Sequence, residues 1–422
     1  MKEPRPRGPA RLYAWLALLY FASGYPFGLF KKAVPIYLGR MKVGEDQIGL
    51  LSLVALPWTL KFLWAPLVDR FGDRRQWMVG CLGALAVLLL LYSFVPGSPE
   101  ITPVAWALLA LVAVASATQD VAIDAYSVES FEGPQLGNAS GIRVNAYRIS
   151  FLLAGGFLVG RASSIGWPGV WRVSAAVLAA LAVAAWFAPR APRAKPTGQP
   201  VIEPFRRLAT RRGFAAVAAF ILLFKLGDYA MGPMTDQFLI RADGAGFTDS
   251  QIGDFVTPIG ILATIVGALL GGALTSRWGI FRALWILGLL QAVSNLGYAW
   301  AALDREPVVL WGAAVVEPFC GGLGTAPFVA FLMASCERTH AGTQYAVLSA
   351  LFALGREAAG SISGYGVKWL SYAPYFGLTF LVALPAFALL PAVKRWLADR
   401  ESEREAAAPA APPIPSRQTP SR

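Results

Sequence analysis

Residues 65–77 read APLVDRFGDRRQW, and residues 272–285 read GALTSRWGIFRALW. Each stretch separates two apolar runs. Arg70 and Gly72 of the first align with Arg277 and Gly279 of the second, 207 residues later. Further on, YRISFLLAGG (147–156) is echoed by GREAAGSISG (355–364), and Arg148 and Arg356 are 208 residues apart. A nearly constant offset over two separate regions marks an internal duplication. Duplicated helical halves are a common construction of secondary transporters.

Composition agrees with a chain built for lipid. Of 422 residues, 56% are hydrophobic and 15% charged, against about a quarter charged in a soluble protein. The apolar residues fall into blocks of about twenty, the length a bilayer demands. Twelve spans are expected, near 12–30, 46–68, 77–95, 103–126, 143–161, 168–188, 214–234, 250–275, 282–302, 307–333, 343–368 and 372–393. The expected fold is therefore all-α, with twelve membrane helices in two pseudo-symmetric six-helix bundles, 1–188 and 214–393. A Pro- and Arg-rich cytoplasmic linker (189–213) would join them. A tail from Lys394 to residue 422, rich in Ala and Pro, is expected to be disordered.

The net charge of +12 does not point to nucleic acid. Lys and Arg collect in the short breaks between apolar runs, as cytoplasmic loops require, which puts both termini in the cytoplasm. The N-terminal apolar run is followed by many others, so it reads as a first span and not a cleaved signal. His340 is the only histidine, so a His-based triad or His-rich metal site is excluded. Cys81, Cys320 and Cys336 form no CxxC pair and read as small apolar filler. No GxSxG elbow and no GxxxxGK loop occurs. No enzyme, metal or cofactor is expected.

Charges inside apolar runs are costly, about 2.5–3.5 kcal/mol each on insertion scales, and so mark candidate sites. Asp120 and Asp124 in SATQDVAIDAYSVES (116–130) share one helix face in the cytoplasmic half of span four. They could hold a shared proton, or form a gate by pairing with Arg143 or Arg148. Lys61 either snorkels to the inner surface or binds an anionic group. Lys225 and Asp228 can pair with each other. Glu317, followed by Pro318 and GGLG, suggests a bent or partly broken helix beside a cavity. The candidates for proton coupling are Glu317, Asp120, Asp124 and Asp228. Those for binding an anionic solute are Lys61, Arg148, Lys225 and Arg356, with Gln119, Asn145, Tyr147, Gln344 and Tyr345 as neutral hydrogen-bonding groups. Gly24-x-x-x-Gly28 and Gly267-x-x-x-Gly271 should let helices approach closely.

LVDRFGDRR resembles the inner-loop signature of the major facilitator superfamily, roughly GxLxDRxGRR. Asp69, Arg70, Gly72, Arg74 and Arg75 fit it, Ala65 stands where Gly is expected, and Asp73 reads as an insertion. The second copy keeps Gly272, Leu274, Arg277 and Gly279, with Ser276 in place of Asp. YFASGYPFGL (20–29), LPWTLKFLWAPLVDR (56–70), ATQDVAIDAYSVE (117–129) and GTQYAVLSALFALGRE (342–357) are similar to the AmpG family of muropeptide permeases. That family's relatives include an acetyl-CoA transporter of eukaryotic internal membranes. The resemblance implies a monomeric inner-membrane carrier that imports anhydro-muropeptides with protons and uses no cofactor. Acetyl-CoA carriage and efflux are the alternatives within transport, and a sensor without transport is the alternative outside it. The resemblance also implies that Asp69, Arg70, Arg74 and Arg277 gate the two halves. Members are often longer, with two additional spans.

Overall fold

The computed structural model describes residues 9–191, 200, 202–241, 244–248 and 251–407. Its elements are helices: α1 (Ala10–Arg40), α2 (45–70), α3 (Arg74–Tyr92), α4 (Pro103–Ser130), α5 (Gln135–Gly160) and α6 (Ala162–Trp186). After a linker helix, Glu203–Thr210, follow α7 (Phe214–Ile240), α8 (251–278), α9 (Ile280–Asp304), α10 (Pro307–Ala334) and α11 (Ala341–Leu370). The last element, α12, is Tyr372–Ala388 bent by 44° into an extension, Leu390–Ala407.

Among the described residues nine helices are long and apolar enough to cross a membrane, or ten if the bent pair is one span. Two expected spans fall outside that count for physical reasons. The α2 segment is broken into Glu45–Val54, Leu56–Leu60, a tight turn at Lys61–Leu63, and Ala65–Arg70. Pro57 and Pro66 interrupt its hydrogen-bond ladder. The α11 helix is long but opens on polar residues and carries Arg356 and Glu357 at its middle.

Local sequence sets the ends. Thr102 Oγ1 accepts from Ala105 N at 3.2 Å and so starts α4. Asp73 and Gln76 form a capping box at the start of α3. The turn glycines of the repeated motif, Gly72 and Gly279, both take positive φ, 66° and 80°, a conformation that a side chain resists.

Small residues decide which helices touch. A Cβ at Gly28 would stand 2.7 Å from Phe151 O, and Gly24 lies equally close against Tyr147, so α1 and α5 meet backbone to backbone. In the second half Gly267 and Gly271 seat α8 against Phe319 and Leu323 of α10. These contacts match the spacing argument. The same contact geometry joins the halves: Gly137 and Gly141 of α5 face Gly272 and Ala268 of α8, with Gly141 2.7 Å from Ala268 O on that measure.

Burial is uneven along the helices. On α4 every residue from Ser116 to Glu129 is buried, and on α10 every residue from Ala326 to Ala334. The first turn of α11 is buried as well. At the opposite end Val308, Ile362, Tyr365 and Trp369 are more than 60% exposed. The halves are therefore packed together at the end that bears the linker helix and the α10–α11 loop, called here the linker end.

Two expectations change. Residues 307–334 form one unbroken helix through Pro318, because Gly322 and Gly324 let neighbouring helices brace it on both sides. Residues 394–407, expected in a disordered tail, are helical, since Leu390, Val393, Trp396 and Arg400 form one buried stripe. The rest of that tail, 408–422, lies outside the described residues, as do residues 1–8 and most of 192–201 in the expected linker.

Candidate functional site

The repeated motif builds a latch. Asp69, at the end of α2, crosses to the first turn of α11. Its Oδ1 accepts from Gly342 N at 3.0 Å, and its Oδ2 accepts from Thr343 N at 2.7 Å and Thr343 Oγ1 at 2.6 Å. The first N–H groups of a helix have no partner within it, and they carry the positive end of its dipole. A buried carboxylate there satisfies them, and each charge-assisted bond stabilises by about 1.5–3 kcal/mol. Arg74 holds the carboxylate from behind: its NH2 lies 2.8 Å from Asp69 Oδ1 and 2.6 Å from Glu129 Oε1, and its NH1 donates to Val68 O at 2.6 Å.

The repeat places a second joint 207 residues on. Ser276 stands where the motif would have Asp, and its Oγ accepts from Asn138 N at 2.9 Å, in the first turn of α5. A Cβ at Gly137 would meet Ser276 Oγ at 2.6 Å, and one at Gly342 would meet Asp69 Oδ1 at 2.7 Å. Both joints thus consist of one oxygen seated over a glycine at a helix start. The first is ionic and the second neutral.

Each half holds one charge cluster centred on a lysine at a helix break. Lys61 occupies the tight turn of α2 and is buried. Its Nζ lies 3.1 Å from Asp124 Oδ2 and 4.0 Å from Asp120 Oδ2. Tyr20 donates to Asp124 Oδ1 at 2.9 Å, and Arg143 NH2 lies 2.9 Å from the same oxygen. The Arg143 guanidinium is sandwiched between the rings of Tyr20 on α1 and Tyr345 on α11, each 4.5 Å away. Asp120 accepts from Ser23 Oγ at 2.5 Å. Asp124 is therefore saturated by three donors, whereas Asp120 holds one hydroxyl and a distant lysine.

In the second cluster Lys225 sits at the break in α7. Its Nζ donates to Gln291 Oε1 at 2.5 Å and Gly321 O at 3.2 Å, and pairs with Asp228 at 3.2 Å. Gln291 Nε2 donates in turn to Asp228. Glu317 lies in the field of Asp228, Lys225 and Arg148. Its carboxylate makes no ion pair or hydrogen bond among the described residues. Arg148 lies near Tyr229 and Glu317. The charge of Arg356 reaches both Tyr147 and Tyr229, while its guanidinium pairs with Glu357 at 3.0 Å. Cations from both halves, Arg148 and Arg356, thus act on the same tyrosine, Tyr229.

Several sequence candidates stand elsewhere. Lys61 does not snorkel, because Asp124 holds it inside. Gln344 Oε1 accepts from Glu337 N at 2.7 Å and Arg400 NH2 at 3.1 Å, so it ties the α10–α11 loop and does not face a solute. Gln119 is wholly enclosed. Asn145 bridges α5 to α8 by donating to Ile265 O at 3.2 Å. Arg70 lies over the ring of its neighbour Phe71, and Arg277 is exposed; neither joins an ion pair among the described residues. Of the four residues expected at the gate, Asp69 and Arg74 pair with each other. Sequence reasoning missed Glu129, Thr343 and Gln291, though the 207-residue offset would have pointed to Ser276 as a joint.

His340 lies just before the latch, buried, outside the membrane helices. Burial pushes its imidazole below the usual range, outweighing nearby Glu337 and Asp69, which favour the charged form. The folded state thus holds fewer protons than the unfolded state. Stability is present above about pH 6.5 and is lost as pH falls below it. Wild type should lose more thermal stability between pH 7.5 and 5.5 than His340→Gln; equal losses would contradict this. Gly342→Ala should destabilise by about 1–3 kcal/mol through overpacking against Asp69, read as a lower melting temperature in detergent. An unchanged value would mean that the latch does not form.

Comparison with known proteins places this geometry. The family model described as Major Facilitator Superfamily matches residues 16–360. Anhydromuropeptide permease of Escherichia coli (strain K12) is 36% identical over 388 residues, covering 89% of this chain and 78% of that protein. A putative transporter AmpG 4 of Rickettsia conorii is 26% identical, covering 88% and 94%. The crystal structure of the human organic anion transporter MFSD10 superposes with a TM-score of 0.67 at 17% identity, covering 91% and 100%, a likeness of fold alone. The named relatives are permeases and transporters, not enzymes. The chain belongs to the major facilitator superfamily and is an AmpG-like permease within it.

Proposed function

We propose that this permease imports anhydro-muropeptides across the cytoplasmic membrane with protons. The carrying observation is the 36% identity to the Escherichia coli anhydromuropeptide permease over nearly the whole chain. In this reading α1–α12 are twelve spans in two bundles, 1–188 and 214–393, that rock about a central site. The linker end is cytoplasmic, both termini lie there, and the protein works as a monomer without a cofactor. The closed linker end then makes the described state outward-facing. Arg148 and Arg356, one from each half, meet the carboxylates of the peptide or lactyl group. Lys61 and Lys225, with Tyr147, line the site.

Glu317 and Asp120 are the proton sites in this reading. Glu317 has no hydrogen-bonded partner among the described residues, and Asp120 is the less saturated of its pair. Asp124 and Asp228 are held by fixed donors and serve the ion-pair frame. The test is uptake into proteoliposomes of labelled anhydro-muropeptide, then acetyl-CoA, with and without an inward proton gradient. Anhydro-muropeptide should accumulate only with the gradient. No uptake under either condition would refute the reading, and uptake of acetyl-CoA alone would reassign the solute. Glu317→Gln and Asp120→Asn should each abolish accumulation and keep counterflow. Normal accumulation by both would exclude these proton sites.

A further inference from the structure

The helical extension of α12 has no part in the site described above, yet it carries a buried arginine. Arg400 is 4% exposed. Its Nε and NH2 donate to Ser335 O at 2.9 and 2.7 Å, at the C-terminus of α10. The same NH2 donates to Gln344 Oε1 at 3.1 Å, in the first turn of α11. Its NH1 reaches Glu337 at 3.4 Å and Glu403 at 3.0 Å. One guanidinium therefore clamps both sides of the α10–α11 loop. Five donors in a fixed planar fork suit that task, and a lysine could serve only part of it.

The extension is itself well seated. Leu390 and Val393 are fully buried and Trp396 nearly so. Arg211, at the end of the linker, lies over the Trp396 ring at 4.5 Å and pairs with Glu403 at 3.0 Å. Linker, extension and loop form one hydrogen-bonded block. The loop ends at Gly342 and Thr343, whose N–H groups hold Asp69. Gln344, which Arg400 grips, is the next residue.

We propose that Arg400 is a positioning residue of the latch: by fixing the α10–α11 loop it presents the first N–H groups of α11 to Asp69. A helix start frays when its loop is free, and frayed N–H groups no longer converge on one carboxylate. The extension thus governs how long the linker end stays shut. The proposal rests on the reading of Asp69 as a gate in alternating access.

The test reads opening of the linker end by the alkylation rate of Ser127→Cys. Ser127 is wholly buried, 4.0 Å from Met333 Sδ across the two halves, so it becomes reactive only when the halves part. The full chain carries Cys81→Ala, Cys320→Ala and Cys336→Ser. Asp69→Asn should raise the rate about tenfold or more, as loss of charge-assisted bonds implies. Arg400→Ala should raise it similarly, Arg400→Lys should recover part of the protection, and the double variant should be no faster than Asp69→Asn alone. Additive effects, or no effect of Arg400→Ala beside a clear effect of Asp69→Asn, would overturn the proposal and leave the latch intact. No effect of Asp69→Asn would refute the latch itself. If Arg400→Ala does not fold, Gln344→Leu removes the acceptor that Arg400 shares with the loop and carries the same expectations.

Discussion

A carboxylate seated on the start of a helix organises this molecule. Asp69 takes two backbone N–H groups and a hydroxyl from α11 while Arg74 and Glu129 hold it from its own half. Neither partner could be buried alone. A bare aspartate in this interior would be costly, and so would the unsatisfied helix end. Each removes the other's penalty only when the halves are together. The interaction is therefore strong and also conditional on a closed linker end, as a gate requires.

The internal repeat explains the neighbouring architecture. Ser276, near the end of α8, repeats the arrangement at the start of α5 with a neutral oxygen, so the closed end has one ionic joint and one weaker joint. The two buried lysines follow a similar rule. Lys61 and Lys225 both stand at helix breaks, where charge and freed backbone groups can satisfy one another. Arg143, pinned between Tyr20 and Tyr345, links the first of these clusters to the opposite half. The Lys225 cluster is closed within its own half by Gln291 and Gly321.

Much of this was legible in the sequence, for identifiable reasons. The offset between the two motif copies gave the repeat, and the paired glycines marked close helix contacts on α1 and α8 without naming the partners, because close backbone approach depends on absent side chains. The buried charges were visible as exceptions in apolar runs. Their partners were harder to read. Gln344 looked like a group for a solute but serves Arg400, a residue placed by a helix that low-complexity sequence concealed. Pro318 looked like a break, yet packing on both sides keeps α10 whole. Arg70 and Arg74 are chemically alike, and only the direction in which the turn at Gly72 sends each chain decides which reaches Asp69. These outcomes depend on tertiary neighbours, which no local pattern records.

The central claim is that the linker end must open and close for transport. A short, reducible bis-methanethiosulfonate cross-link between Ser127→Cys and Met333→Cys, whose native side chains meet across the halves, tests it directly. With native cysteines replaced, cross-linking should stop solute uptake in proteoliposomes, and reduction should restore it. Continued uptake with the cross-link intact would contradict the account.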